Sequence, residues 1–203
     1  MSSFDSLRRD SSGLFLTSES GWKVAWQLVF SFAVTQLETI FALYMLDRFA
    51  FEVFDVAMVL LAMAIVMGGI QGGGMKALSK RFGERRLIRS GAVLLGIGFF
   101  TTPLMPGVPT LIGALMLAAA GRALLQPSLM TLISFRTGEQ TRGAVMSTFQ
   151  SASALARVFG PFTAGWVYDR YAGGPFWVAG AASVIVFLLA SGLVRAPKGG
   201  DAA

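Results

Sequence analysis

Three charged side chains, Glu38, Arg122 and Arg157, lie inside segments that are otherwise apolar and long enough to cross a bilayer. An ionised side chain near the bilayer centre costs about 2.5 to 3.5 kcal/mol on insertion scales, so it usually has a partner and a function. A carboxylate there can carry a proton, and an arginine can pair with that carboxylate or bind an anionic group. We therefore predict a polar cavity in which opposite charges pair at comparable depth.

Polar residues repeat on the helical faces that carry these charges. In the first apolar segment the polar positions are separated by four, four and three residues, which places them on one side of a helix. These positions are Gln27, Ser31, Thr35 and Glu38. Similar stripes around the two arginines predict that the first, fourth and fifth segments form the cavity wall. The candidate residues for a proton or a substrate are Glu38, Arg122, Arg157, Gln36, Gln126 and Gln150.

The same stripes also have a structural interpretation. Arg122 and Arg157 could satisfy helix carbonyls or a glutamine, and a polar contact between membrane helices contributes about 0.6 kcal/mol. Gly160 and Pro161 predict a kink or hinge, because proline removes a backbone hydrogen bond and glycine lets a neighbouring helix approach. Bent helices recur near the midplane of secondary transporters, and a plain packing kink is the alternative. Gly165 joins this hinge or packing group.

Composition excludes most other functions. The chain is 54% hydrophobic and only 14% charged, which is typical of helices in lipid. It contains no cysteine and no histidine, so disulfides, thiolate nucleophiles, imidazole bases and the usual zinc ligands are excluded. The run Gly72 to Gly74 lacks the Gly-Lys-Ser/Thr ending of a phosphate-binding loop. We expect no metal, no cofactor and no enzyme activity.

Hydropathy predicts an all-α membrane protein with six transmembrane helices. A polar cytoplasmic lead-in covers 1–21, a six-helix bundle covers 22–194, and a cytoplasmic tail covers 195–203. The predicted spans are 22–46, 54–70, 87–105, 109–134, 144–167 and 176–193. A glycine-rich and basic connector separates the second span from the third. The third and sixth spans have no charged residue in their interiors, so we expect them to be outer supports that face lipid.

The distribution of lysine and arginine predicts the orientation. Thirteen of these residues fall at the end of the bundle that carries both termini, and only Arg48 and Arg170 fall at the other end. Cytoplasmic loops collect basic residues, so both termini are expected in the cytoplasm of a cell with this chain in its inner or plasma membrane. The net charge of +6 is explained by these loops, and no nucleic acid partner is expected.

Three segments resemble the C-terminal half of a transporter of the major facilitator superfamily. Segment 76–86 resembles the basic loop between the second and third helices of each half, and segment 121–134 resembles the fourth helix. The loop positions in register are Leu78, Arg81, Gly83, Arg85 and Arg86. Segment 142–169 resembles the fifth helix. Its residues similar to the Gly-Pro motif of proton-linked drug exporters are Gly160, Pro161, Ala164 and Gly165.

The basic loop departs from the family pattern at two positions. Lys76 stands where the family favours glycine, and Lys80 stands where the family has an aspartate that helps to hold one conformation. We therefore expect this loop to serve orientation and helix packing without a gating role. Its members are Lys76, Lys80, Arg81, Gly83, Arg85 and Arg86.

The resemblance implies half of a secondary active transporter that moves a small solute by alternating access, with proton-coupled export. In that interpretation Glu38 carries the proton, and Arg122 and Arg157 tune its protonation or bind an anionic group. A complete transporter of this kind has two six-helix halves with the substrate site between them. The expected partners are the bilayer, a small-molecule substrate, and a first six-helix half or a second copy. The alternative is a nontransporting fragment, or a membrane assembly partner of the same fold.

Overall fold

A computed structural model describes residues 18–136 and 139–195, and regular structure in these ranges is helical. The α-helices are α1 (Ser18–Phe49), α2 (Val53–Gly69), α3 (Met75–Phe82), α4 (Glu84–Thr101), α5 (Val108–Arg136), α6 (Glu139–Tyr168) and α7 (Gly174–Arg195). A π-helical turn, Ile70–Gly74, joins α2 to α3, and a 3-10 turn, Thr102–Leu104, follows α4. The prediction of an all-α fold is confirmed, since these ranges contain no strand.

Five segments of the described ranges are long and apolar enough to cross a membrane. They are Val24–Phe49, Val53–Phe82, Glu84–Leu104, Val108–Thr131 and Gly174–Ser191. Helix α6 is 30 residues long but is not among them, because its sequence mixes serine, glutamine and arginine with apolar residues. The structure therefore supports a membrane protein with five candidate spans, one fewer than the sequence predicts.

Helix α1 begins at Ser18, within the predicted lead-in, and its candidate span begins at Val24. Serine and glutamate, which occupy the start of this segment, are well tolerated in a first helical turn. Residues 1–17 of the predicted lead-in and residues 196–203 of the predicted tail lie outside the described residues.

The predicted glycine-rich connector is also helical, which corrects the sequence interpretation. Helix α2 continues through the π turn into α3, and Gly83, with φ 75°, is the break before α4. Glycine costs about 1 kcal/mol in a helix interior relative to alanine, which weakens a helix without forbidding it. Only the positive φ at Gly83 requires glycine, because other L-residues are strained there.

Small residues allow α4 and α5 to pack with their backbones close together. A Cβ added to Gly91 would lie 2.9 Å from the carbonyl oxygen of Gly121, and a Cβ added to Gly98 would lie 2.7 Å from the Cβ of Ala118. A Cβ on Gly121 would meet the backbone of both Leu95 and Gly91. In lipid there is no hydrophobic driving force for helices to associate, because the lipid tails are as apolar as the side chains. Close approach of this kind provides the van der Waals contact that holds membrane helices together instead.

The remaining helices assemble around this pair. Helix α1 packs mainly against α6 and α7, α4 packs against α7, and α2 packs against α5. Trp26 is fully buried and donates a hydrogen bond from Nε1 to the carbonyl oxygen of Val186, 3.2 Å away, which fixes α1 against α7. Beyond Ser90 the exposed residues of α4 are apolar, as are those of α7 in its described part. These faces suit the lipid-facing role expected for the third and sixth spans.

Helix α2 is the least buried of the five candidate spans. Only 17% of the most apolar stretch of the span Val53–Phe82 is buried, whereas the corresponding stretches of the other four spans are 50% to 56% buried. Its exposed side chains include Phe54, Met58, Leu61 and Ile65, which repeat at helical spacing along one face.

Candidate functional site

Glu38 and Arg122 form an ion pair between α1 and α5. Arg122 Nη2 lies 2.8 Å from Glu38 Oε1, and the side chains remain 25% exposed for Arg122 and 44% exposed for Glu38. Because α1 packs mainly on α6 and α7 while α5 packs on α4, the pair connects two groups of helices at an open position. Two of the three charged residues predicted to lie within spans are thus joined by an ion pair.

Arg122 keeps hydrogen-bonding capacity beyond this ion pair. Its Nε is buried and has no partner within the described part of the chain. A guanidinium carries five N–H donors in a planar fork, so one terminal nitrogen can hold Glu38 while other donors remain for a ligand. The arrangement can exchange one anionic partner for another, or release Glu38 when its carboxylate takes up a proton.

Arg157 does not join the pair. It is exposed on α6, and no ion pair links it to an acidic residue in the described ranges. It lies one turn from Ser153 and one turn from Gly160, both of which contact α1. The structure therefore places Arg157 beside the seam between α1 and α6, and leaves the predicted effect on Glu38 to Arg122.

The polar stripe of α1 contacts two helices, α6 through its first three residues and α5 through Glu38. Gln27 Nε2 donates to Ser153 Oγ at 2.8 Å, and Ser31 Oγ donates to the same oxygen at 3.1 Å. A Cβ added to Gly160 would lie 2.5 Å from Thr35 Cγ2, so α1 and α6 cross closely at that point. The first three residues of the stripe thus serve helix packing, and only Glu38 is exposed.

Gln36 lies in the interface between α1 and α6 and does not line a cavity, which corrects its assignment. It is fully buried, and Nε2 donates to Thr163 Oγ1 at 2.8 Å and to the Gly160 carbonyl at 3.4 Å. Its position on α1 gave no sign of this, because the partner is supplied by a helix distant in sequence. The other candidate glutamines differ: Gln126 is half-buried on α5, and Gln150 is exposed on α6.

Replacing Thr163 by valine is expected to destabilise the chain by about 0.6 to 1.7 kcal/mol, the range measured for polar contacts between membrane helices. The change keeps the shape and removes the closer acceptor of Gln36. Thermal unfolding in detergent, followed by the helical circular dichroism signal, measures the effect. The double variant Gln36→Leu with Thr163→Val is the control, because removing both partners avoids a buried unpaired amide. A double variant less stable than Thr163→Val would contradict this account.

The predicted hinge residues lie in a continuous helix. Pro161 is inside α6, which runs unbroken from Glu139 to Tyr168. Gly160 is at the crossing with α1, whereas Gly165 has open space around the position of a Cβ. The close approach predicted for Gly160 is present, and the hinge remains a prediction.

A second polar contact closes the far end of the α1 and α6 seam. The Tyr168 hydroxyl donates to Asp47 Oδ2 at 2.6 Å. Burial, followed by this hydrogen bond, raises the pKa of Tyr168 above its ordinary value. The sequence analysis did not predict this contact, and an acidic residue just after the first predicted span was the one signal available.

The residues of the basic loop occupy α3 and the start of α4. Lys76, Lys80 and Arg81 are exposed on α3, and Arg86 is exposed just after the Gly83 break. Arg85 is half-buried beside it. Ser79 Oγ donates to Glu84 Oε1 at 2.6 Å across the break, which fixes the angle between the two helices.

The amino-acid sequence matches a known protein family. The profile of the Major Facilitator Superfamily matches residues 74–203, which is more than half of the chain. The chain belongs to the Major Facilitator Superfamily. The resemblance found in the basic loop and in the two helices that carry Arg122 and Arg157 is thereby confirmed at the level of the superfamily.

Superfamily members that resemble this chain include resistance proteins. Multidrug resistance protein 2 of Bacillus subtilis (strain 168) is 29% identical over 164 residues, which is 80% of this chain and 41% of that protein. The class G tetracycline resistance protein of Vibrio anguillarum is 30% identical over 165 residues, or 78% of this chain and 40% of that protein. The class E protein of Escherichia coli is 27% identical over 154 residues. The chain spans about two fifths of the length of these relatives.

Proposed function

We propose that this chain is the C-terminal six-helix half of a secondary transporter, with α6 as the sixth spanning helix. Helix α6 has 30 residues, which corresponds to about 45 Å at 1.5 Å per residue and exceeds a hydrocarbon core about 30 Å thick. It packs along α1, which is itself a candidate span. Its polar residues Ser153 and Thr163 are directed into that contact, which supports its insertion in lipid.

The proposed orientation has both termini in the cytoplasm. Exposed lysine and arginine side chains gather on α3 and at the start of α4, at one end of the bundle. The opposite end carries Arg48 and Arg170, each stacked on a neighbouring aromatic ring. This asymmetry supports the positive-inside assignment made from the sequence.

The Glu38–Arg122 pair is the observation that carries the proposed mechanism. A carboxylate held by a cation at an open position can bind a proton, and protonation removes the charge that holds the arginine. We propose that this exchange links proton movement to alternation of access and to export of a small solute. The ion pair would then be present in one protonation state and broken in the other, which gives the two arrangements that coupling requires.

The substrate proposed is a small, largely apolar solute. Ala42 and Leu46 follow Glu38 by one and two turns and line an apolar pocket of about 960 Å³ that Phe51, Val53 and Phe54 complete. Pockets for small organic ligands are mostly apolar with few polar groups, and Glu52, which also lines this pocket, supplies a carboxylate. The names of the relatives, multidrug resistance and tetracycline resistance proteins, agree with a solute of this kind.

A first six-helix half, or a second copy of this chain, is the proposed partner. Helix α2 presents an apolar face that continues into glycines with open space around them: Gly68, Gly69, Gly72 and Gly73. Helix α6 presents a second apolar face with Leu155, Phe159, Phe162 and Trp166. Small residues spaced by four allow another membrane helix to approach. Relatives more than twice as long favour a first half as the partner.

Replacing Gly72 by leucine is expected to weaken assembly with that partner by about tenfold or more, because a bulky side chain prevents close helix approach. The isolated chain should keep its stability, since a Cβ at this position meets nothing within 4 Å. Coexpression with a matching first half, followed by the mass of the detergent-solubilised complex, measures the effect. Gly72→Ala is the control and should assemble nearly normally. Equal assembly of the leucine variant would show that another face is covered.

Coexpression also tests the proposed function itself. A complex of the two halves reconstituted in vesicles should move tetracycline, or a compound against which it protects cells, when a pH gradient is applied. Transport by the complex supports the proposal. A chain that forms no complex and moves no solute would favour the alternative of a nontransporting member of the same fold.

A further inference from the structure

We infer that the exposed cations of α3, Lys76, Lys80 and Arg81, form a binding surface for the phosphate headgroups of anionic phospholipids. The surface is complete within this chain. It does not depend on transport or on a second half. Its supports are the depth of α3 relative to the bilayer, the absence of an ion-paired carboxylate on these cations among the described residues, and the amphipathic character of the helix.

The length of the second candidate span places α3 at the level of the headgroups. This span runs from Val53 to Phe82, and about 20 residues suffice to cross the hydrocarbon core. Residues 76–82 therefore lie roughly 5 to 15 Å beyond the core at 1.5 Å per residue. The headgroup region adds about 5 to 7 Å on each side of the core, so Lys76 lies within it, and the long side chains of Lys80 and Arg81 can extend back toward it.

In the part of the chain that the structure describes, no carboxylate forms an ion pair with Lys76, Lys80 or Arg81. The ion pair between Glu38 and Arg122 lies elsewhere in the bundle. The nearest acidic residue in sequence, Glu84, accepts a hydrogen bond from Ser79. Lys80 also stands where the family favours aspartate, so this chain has a cation in place of a carboxylate. Charge complementarity thus favours an anionic ligand.

Phe82 supplies the apolar component of the surface. Its side chain is 44% exposed, and the Arg81 guanidinium lies 5.5 Å from the centroid of its ring. This contact holds the Arg81 guanidinium beside the ring on the open side of the helix. Leu78 points back to the helix, where it contacts Gly74. Helix α3 is therefore amphipathic, with its cations on the open side.

The test measures lipid selectivity of the full chain reconstituted in bilayers. Spin-labelled phosphatidylglycerol and phosphatidylcholine report the relative association of the two lipids with the protein. We expect a preference for phosphatidylglycerol in the unchanged chain. The preference should fall about fivefold or more in Lys76→Ala with Lys80→Ala, since each cation near an anionic surface contributes appreciably to lipid attraction.

Matched variants separate this site from a general effect of charge. Arg48→Ala with Arg170→Ala removes two cations at the opposite end and should leave the preference intact. Lys76→Arg with Lys80→Arg keeps the charge and should retain the preference for phosphatidylglycerol. This variant also tests the inference where the alanine variant does not fold. No preference in the unchanged chain, equal losses in both alanine variants, or full displacement of the lipid by inorganic phosphate would overturn the inference.

Discussion

Replacing Glu38 by glutamine is expected to reduce transport driven by a pH gradient at least about 100-fold in the assembled transporter. This is the lower range for loss of a positioned proton-transfer group. Glutamine keeps the size of the side chain and can accept a hydrogen bond from Arg122, but it cannot take up and release a proton. The measurement is solute flux in vesicles with and without the gradient.

Exchange of solute in the absence of a gradient is the control for this prediction. A variant that has lost only its proton carrier should still exchange solute across the membrane at a rate near that of the unchanged protein. If Glu38 serves structure alone, both activities should fall together, because Arg122 is left without its counterion at a cost of about 2.5 to 3.5 kcal/mol in lipid. Gradient-driven flux that survives Glu38→Gln would remove Glu38 from the mechanism.

The double variant Glu38→Gln with Arg122→Gln distinguishes the two roles further. It removes both charges, so the uncompensated guanidinium disappears and the fold should recover. We expect recovered stability without recovered proton coupling. Recovery of both would mean that the pair only holds α1 against α5.

Replacing Gly121 by alanine is expected to destabilise the chain by about 3 kcal/mol or more, at the upper end of overpacking costs. The added Cβ meets the backbone of α4 at Leu95 and at Gly91, so no side-chain rotation can relieve the contact. The helices α4 and α5 would have to separate, and the contact between Gly98 and Ala118 would loosen with them. Chemical or thermal unfolding in detergent measures the loss.

Gly113 provides a matched control on the same helix. It is exposed, and a Cβ at this position meets nothing within 4 Å. Gly113→Ala should therefore be neutral, or gain up to about 1 kcal/mol from the better helix propensity of alanine. Similar losses in the two variants would show that the cost comes from glycine replacement as such and not from the contact with α4.

Hydropathy predicted the helices well because the signal is local. The predicted spans 109–134 and 176–193 differ by one or two residues at each end from α5 and α7. The errors fell where local signals conflict. Glycines 72–74 indicated a connector, yet the helix continues through them as a π turn, because glycine weakens a helix without forbidding it. Helix α6 is long enough to span the membrane, but its polar residues make its mean hydropathy lower than that of the five candidate spans.

The candidate site shows a different limit of sequence reasoning. The position of each charged residue within its predicted span indicated that Glu38 could pair with an arginine. Arg122 and Arg157 were equally suitable as its partner. The choice of Arg122 over Arg157 depends on which face of α6 packs on α1, and that face is set by Ser153, Gly160 and Thr163. The burial of Gln36 follows from the same packing.

The amino-acid sequence was sufficient to predict that this protein is helical, lies in a membrane, carries charge within its apolar segments and resembles the Major Facilitator Superfamily. Those properties follow from composition, periodicity and short motifs, which act over a few turns of one helix. The tertiary structure decided which polar residues pair, which helix faces remain open, and where backbones touch. These depend on crossing points between helices distant in sequence, such as Gly160 against Thr35 and Gly121 against Leu95, and no local pattern encodes a crossing point.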